Sequence, residues 1–315
     1  MASYLHSIRR HIGHQKIPLI FASACVLDDK GNMLWQHRAD FDWWGLPGGI
    51  LELEESLPEC VAREVFEESG LEVEPKHLIG VYSSPDFDVI YPNNDHVQQV
   101  TACFECRIKG GRLRIDNNET LNLAWLPIDK PPPTSLWYMA MSNDLLLNLK
   151  SPCFDRGSPG KRENDKPFFE TIRHKIEDTP LIVPFATAFI QDEEERVLLW
   201  KCDTSDKWEL PGGYMELGER IDQTVINEVR KKTGLIIKPM KLIGICSDYN
   251  QLTTSPHGSS FKPISFIFKC KIISGKVETD TIEPAKMRFF SHNATPCLSM
   301  LHKLQLQIIL IQKKS

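Results

Sequence analysis

A chain of 315 residues, 41% hydrophobic and 25% charged, is long enough for two globular domains and apolar enough to give each a core. Its formal net charge of −5 offers no bulk attraction to nucleic acid or to an anionic bilayer, and no apolar run approaches the roughly 18 residues a membrane span needs. The opening "MASYLHSIRRHIGH" has no apolar stretch of signal-peptide length, so a cytoplasmic protein is expected, with its nine scattered cysteines mostly reduced.

In chain order, "SYLHSIRRHI" puts Tyr4, Leu5, Ile8 and Ile12 near one helical stripe. "PLIFASACVLD" is a β-rich run, "DDKGN" a turn and "MLWQHR" its hairpin partner. A Pro-Gly-Gly loop follows, then a helix from about Ser56 to Ser69. "LIGVYSS", "HVQQVTACFECRIK" and "LAWLPI" are further strands, and "SLWYMAMSNDLLLNLK" is a closing helix. Cys103 and Cys106 form a CxxC pair inside the second of these strands, where residues i and i+3 point to opposite faces, so a zinc site is not expected there.

The whole unit is then written a second time. Trp44-Gly45-Leu46-Pro47-Gly48-Gly49 corresponds to Trp208-Glu209-Leu210-Pro211-Gly212-Gly213, an offset of 164 residues. The same offset maps Ile8-Arg9 onto Ile172-Arg173, Leu78-Ile79-Gly80 onto Leu242-Ile243-Gly244, Phe104 onto Phe268, Cys106 onto Cys270, Glu119 onto Glu283 and Pro132 onto Pro296. A period this long marks two whole domains rather than solenoid repeats. The expected division is 1–150, a linker at 151–166 rich in Pro, Gly and charge, and 167–315. Strands, hairpins and a few helices in each copy predict an α+β or α/β sandwich.

The helix after the Gly-Gly loop carries the chemistry. Ser56 can cap it, Pro58 fits its first turn, Glu59 completes a capping box and Gly70 suits the position just past its end. Val61 with Val65, and Ala62 with Phe66, are expected to face the core, while Glu64, Glu67 and Glu68 fall within one arc of about 100°. Carboxylates so placed repel one another unless a cation sits among them, and hard divalent cations prefer oxygen ligands. Glu55 and the Gly49 carbonyl lie on the loop leading into the helix.

Residues 49–71 match, position for position, the Nudix box: Gly49, five residues, Glu55, seven residues, then Arg63-Glu64-Val65-Phe66-Glu67-Glu68-Ser69-Gly70-Leu71. Each copy also resembles the Nudix hydrolases more loosely, in its "LPGG" lead-in and strand order. The resemblance implies two α/β/α sandwich domains with mixed sheets and hydrolysis of a diphosphate bond with two or three Mg²⁺ or Mn²⁺ ions. It implies that Glu64 and Glu68 are the main metal ligands, with Glu67 beside them and a backbone carbonyl from Gly49. Arg63 would orient Glu64 through a charge-assisted pair. Either Glu67 or Glu119, from "NNETLNLAW", would be the general base.

The second copy keeps Gly213, Glu219, Glu228, Gly234 and Leu235, but Asn227, Lys231 and Lys232 replace Arg63, Glu67 and Glu68. A lysine donates no oxygen and repels a cation, so this copy is expected to have no hydrolytic activity of its own. Its expected role is structural, as the intrachain partner of the first; lysines binding a phosphorylated ligand without cleaving it are the alternative.

For the substrate, Arg38 is a candidate phosphate contact, and Phe41 and Trp43 are candidates to stack on a base. Trp43 becomes Lys207 in the second copy, whereas Trp44 recurs as Trp208, which fits a structural role for Trp44. Tyr91 and Pro85 lie in the loop after the box; Pro85 stands near the position where ADP-ribose pyrophosphatases carry a proline. The expected substrate is a small nucleotide of the ADP-ribose kind. A (d)NTP pyrophosphohydrolase and a metabolite sensor without turnover are the alternatives, and nucleic acid and membrane are not expected as partners.

Overall fold

The computed structural model describes residues 3–115, 119–163, 168–176, 179–201, 207–248, 253–254, 260–277, 287–291, 296–298 and 300–312. Its first half runs α1 (Tyr4–Ile12), β1 (Ile17–Leu27), β2 (Asn32–Arg38), β3 (Trp44–Gly45), β4 (Gly48–Ile50), α2 (Leu57–Ser69), β5 (Leu71–Tyr82), β6 (Val89–Ile90), β7 (His96–Gly111), β8 (Thr120–Pro127) and α3 (Leu136–Leu146). The sheet is mixed. β1 runs parallel to β7, and β5 and β2 close its sides antiparallel.

Alternation along β1 builds two cores. Ile20, Ala22, Ala24 and Val26 meet Leu57, Cys60, Val61 and Val65 of α2 on one face. Cys25 points the other way, to Met33, Trp35, Tyr138 and Met141 beneath α3. The result is the α/β/α layering implied by the family resemblance. One helical position departs from expectation. Phe66 is 43% exposed and lies under the Arg114 guanidinium, 5.3 Å from its ring centroid. The Val61–Val65 stripe already fills the core face, and Phe66 is turned about 100° from it.

The second half runs α4 (Phe168–Ile176), β9 (Leu181–Ile190), β10 (Val197–Lys201), β11 (Trp208–Glu209), β12 (Gly212–Tyr214), α5 (Ile221–Thr233), β13 (Ile236–Cys246), β14 (Thr253–Thr254), β15 (Ser260–Ser274), β16 (Met287–Phe290) and α6 (Met300–Gln312). It repeats the register of the first half. Ile17 pairs with Val97 in the parallel β1–β7 ladder, and Leu181 with Phe261 in β9–β15. Ala22 faces Gly49, and Ala186 faces Gly213. Every one of these partners is displaced by the sequence offset, so the repeat holds in backbone pairing as well as in residue identity. Glu283, the counterpart of Glu119, lies outside the described residues.

The cores beneath α2 and α5 are continuous. Tyr4, Ile8 and Ile12 of α1 share one apolar cluster with Phe168, Ile172 and Ile176 of α4 and with the inward faces of β1 and β9. The Tyr4 hydroxyl accepts the Ile182 N–H at 2.9 Å. The stretch expected to be a linker is tied down along residues 155–163; residues 164–166 of it lie outside the described residues. Arg220 Nη1 donates to the carbonyls of Asp155 and Gly157, and Ser158 N donates to Asp86. Gly160 N donates to Gln223.

Cys103 lies in β7 with its Sγ 3.7 Å from Cys25 Sγ; the cysteines described are free thiols, buried except Cys297. No helix among the described residues is long and apolar enough to cross a membrane.

Candidate active site

The start and end of α2 follow from its local sequence. Ser56 Oγ accepts the Glu59 N–H and Glu59 Oε2 accepts the Ser56 N–H, a complete capping box. Gly70 ends the helix in the left-handed region at φ 74°, a conformation that disfavours a side chain. These two ends fix which face α2 turns toward the Gly48-Gly49 loop.

Arg63 is the centre of the charge network on that face. Its Nε and Nη2 bind the two oxygens of Glu55 at 2.9 and 2.6 Å. Its Nη1 binds Glu64 Oε1 at 2.7 Å and Glu67 Oε2 at 3.0 Å. One planar guanidinium thus orders three carboxylates. A side chain on Gly49 would collide with the Glu64 carboxylate, so glycine there lets the loop backbone approach the helix. Glu68 is 4% exposed, accepts the Gly48 N–H at 2.9 Å and lies near Gln36 and Arg38.

Burial sets the electrostatics. It pushes the Glu68 carboxyl up to about 8, against the pull of Arg38. It pushes Glu64 up to about 7; Glu67 and Glu119 add to the rise and Arg63 opposes it. Two carboxyls that hold protons this tightly form a site that favours a cation, and their oxygen donors suit a hard divalent one. Among the described residues no three acidic, histidine or cysteine side chains already converge as a ligand set. Glu64 and Glu67 are held by Arg63, and Glu68 by the Gly48 amide.

A cavity of about 610 Å³ opens on this face. It is lined by Gly49, Arg63, Glu64, Glu67, Glu68 and Glu119, and equally by Arg38, Phe41, Trp43 and Tyr91. The aromatic groups form one wall. Phe41 stacks on Trp43 at 4.6 Å, Tyr91 tilts against Phe41 at 5.2 Å and Trp137 meets Trp43 edge-on at 5.7 Å. Arg38 is held bidentately by Asp40 at 3.0 and 2.7 Å.

Pro85 is a correction: it does not line the cavity. It opens a 3₁₀ turn, Pro85–Phe87, whose capping Ser84 donates to Ser158 O, and it packs near Gly160 of the chain between the halves. Sequence reasoning missed Trp137 from α3 and Arg9 from α1, which is paired with Asp95 at 3.3 Å. Neither carries a local signal, because each reaches the cavity only when its helix docks.

The second copy satisfies itself. Asn227 Nδ2 binds Glu219 at 2.8 Å where Arg63 binds Glu55. Lys232 Nζ donates to the Gly212 carbonyl and lies 3.7 Å from Glu228, the counterpart of Glu64. Lys231 stays exposed, 3.9 Å from the same group.

The family model for the NUDIX domain matches residues 19–143 and again 183–304. The chain therefore belongs to the Nudix hydrolase family, with two copies of its domain. It is 35% identical over 111 residues to a MutT-like protein of Streptomyces ambofaciens, a match covering 35% of this chain and 65% of that one. It is 32% identical over 111 residues to a putative 8-oxo-dGTP diphosphatase of Bacillus subtilis, covering 35% of this chain and 68% of the relative. It is 32% identical over 94 residues to an ADP-ribose pyrophosphatase of Methanocaldococcus jannaschii, covering 30% and 52%. The matched stretches thus span about half to two thirds of these relatives.

Proposed function

We propose that the first half is a Mg²⁺- or Mn²⁺-dependent pyrophosphohydrolase that cleaves the diphosphate of a nucleoside diphosphate joined to a second group, with ADP-ribose-like compounds as its substrates. The observation that carries this reading is the buried carboxyl of Glu68 and the partly buried one of Glu64, beside Glu67 on the wall of an open cavity. Glu64, Glu68 and Glu67, with the Gly49 carbonyl, would hold the cation. When bound, a divalent cation neutralises pyrophosphate charge, polarises phosphoryl oxygens and acidifies water.

The chain's own residues do the rest. Arg63 orients Glu64 through its 2.7 Å contact and opposes the rise that burial imposes on that carboxyl. Glu67 is the half-exposed carboxylate of the three, with 56% of its side chain accessible, and is placed to accept a proton from water at the cavity mouth. Glu119 lines the same cavity and is the other candidate base. The Phe41–Trp43 stack offers a flat apolar face to a base, and Trp137 packs edge-on against Trp43.

The second half is a structural partner paired with the first within one chain. Lys232 supports this: its ammonium is spent on its own Gly212 carbonyl and Glu228 instead of facing a ligand. A (d)NTP substrate is the second reading, favoured by the similarity to a putative 8-oxo-dGTP diphosphatase.

Incubation of the full chain and Mg²⁺ with ADP-ribose, nucleotide sugars, dinucleoside polyphosphates and dNTPs tests the reading. Release of AMP from ADP-ribose is expected. Turnover confined to dNTPs would replace the substrate class, and tight binding without turnover of any member would replace the enzyme with a sensor.

A further inference from the structure

The two halves touch through reciprocal contacts, and one of them reaches the loop that positions the carboxylate helix. Lys262 of β15 is fully buried, and its Nζ crosses to the first half. It donates to the carbonyls of Glu52, Leu53 and Glu55 at 3.3, 3.0 and 2.5 Å. Ser247, just after β13, accepts the N–H of Leu57, the first residue of α2, at 3.1 Å. The segment from Glu52 to Leu57 thus has three of its carbonyls and the first free amide of its helix held by the other half.

The mirror contacts run the opposite way. Gln98 is the counterpart of Lys262 at the sequence offset. It donates to Glu219 O at 2.7 Å and accepts Gly218 N at 2.8 Å. Ser83, the counterpart of Ser247, accepts the Ile221 N–H at the start of α5 at 3.0 Å. The geometry is a pseudo-twofold exchange with one asymmetry: a neutral amide steadies the loop of the degenerate box, and an ammonium steadies the loop of the intact one.

An ammonium is costly to bury, and burial pulls Lys262 down to about 8 against the favourable fields of Glu55 and Glu59. Three carbonyl acceptors compensate it. The loop they belong to also carries Glu55, whose side chain accepts the Glu52 N–H at 2.9 Å and accepts from Nε and Nη2 of Arg63. Arg63 in turn holds Glu64 and Glu67. An unbroken path of hydrogen bonds and backbone therefore leads from Lys262 to the carboxylates of the first half.

We propose that Lys262, with Ser247, is a positioning residue for the first site, so that the degenerate half acts as a built-in activator of the intact one through the Glu52–Leu57 loop. The proposal rests on the reading of the first half as the divalent-cation site. It makes loss of Lys262 a site defect and loss of Gln98 a stability defect only.

The experiment compares wild type, Lys262→Met, Ser247→Ala and Gln98→Met in the full chain. It measures Mn²⁺ affinity by calorimetry, kcat and KM for the substrate found above, and thermal stability. Removing a group that orients metal ligands from outside costs about 10–100-fold in metal affinity or activity. Lys262→Met is expected to weaken Mn²⁺ binding and lower kcat in that range, with substrate KM within twofold. Ser247→Ala should do the same more mildly. Gln98→Met should leave both within twofold even where it lowers the melting temperature as much.

Equal losses in Lys262→Met and Gln98→Met, or no loss of Mn²⁺ affinity in Lys262→Met, would overturn the proposal. If Lys262→Met does not fold, Ser247→Ala against Gln98→Met decides by the same comparison. If wild type binds Mn²⁺ but turns over nothing, the enzymatic reading fails, and the Mn²⁺ affinities still judge the proposal. Should wild type bind no Mn²⁺, both fall.

Discussion

α2 and α5 are the same helix by length, register and partners, yet they balance charge in opposite ways. In α2 one arginine serves Glu55, Glu64 and Glu67 while Glu68 is buried on the Gly48 amide, which leaves excess negative charge facing a cavity. In α5 the excess is gone. Asn227 replaces the guanidinium and binds Glu219, Glu228 remains where Glu64 stands in α2, and Lys232 lies beside it. A built-in ammonium in α5 supplies the positive charge that the proposed function assigns, in the first copy, to a cation from solution. Loss of box carboxylates and retention of fold are thus compatible, because the replacing lysine also removes the repulsion that the carboxylates created.

The sharpest way to break this contrast is at the proposed ligands. If Glu64 and Glu68 hold the cation, Glu64→Gln and Glu68→Gln each remove an oxygen donor worth several kcal/mol in the transition state, so kcat/KM should fall roughly 10³-fold or more while the fold persists. Activity untouched in both variants would refute the assignment of the first copy.

The unbalanced charge of α2 should also appear as a pH effect on the metal-free protein. Glu64 and Glu68 have folded-state values raised to about 7 and about 8 from an ordinary 4.5. Their contribution to stability is fully present below pH ~4.5 and is lost as pH rises through 7–8, because ionisation is easier in the unfolded chain. Melting temperatures in chelator should therefore fall across that window, and Mg²⁺ should restore them most at the alkaline end. The absence of a pH-dependent Mg²⁺ rescue would contradict the site.

Lys232→Met tests the other side of the comparison. It leaves Glu228 beside Gly213 without its ammonium, so denaturant unfolding should show a loss of about 1–3 kcal/mol, with turnover by the first half kept. Loss of turnover at unchanged stability would point instead to a ligand role for the second copy. The smallest effect is expected at the aromatic wall. Trp43→Ala should raise KM about tenfold with little change in kcat, since stacking on a base is worth about 1–3 kcal/mol and is made in the ground state as well.

Much of this was legible in the sequence because the signals were local or periodic. The capping box at Ser56 and Glu59, the Gly70 terminator, and the spacing of Gly49, Glu55 and Arg63 to Glu68 each act within a few turns of one helix. The constant offset foretold paired registers as distant as Ala22–Gly49 and Ala186–Gly213. Phe66 went astray because two apolar pairs on α2 compete for one core face, and only packing chooses between them. Pro85 went astray because its turn is claimed by the chain joining the halves. Arg9 and Trp137 reach the cavity from helices nearly a whole domain apart in sequence.

The sequence by itself determined the family, the intact and the degenerate box, and the helix that carries the carboxylates. These depend on residue types at short fixed spacings, which a backbone of known periodicity converts directly into a face. Only the tertiary structure decided how strongly Glu64 and Glu68 hold their protons, which aromatic groups share their cavity, and that Lys262 crosses from one half to the loop of the other. Burial and long-range contact depend on how sheets and helices close around a site, and no local pattern in the chain encodes that closure.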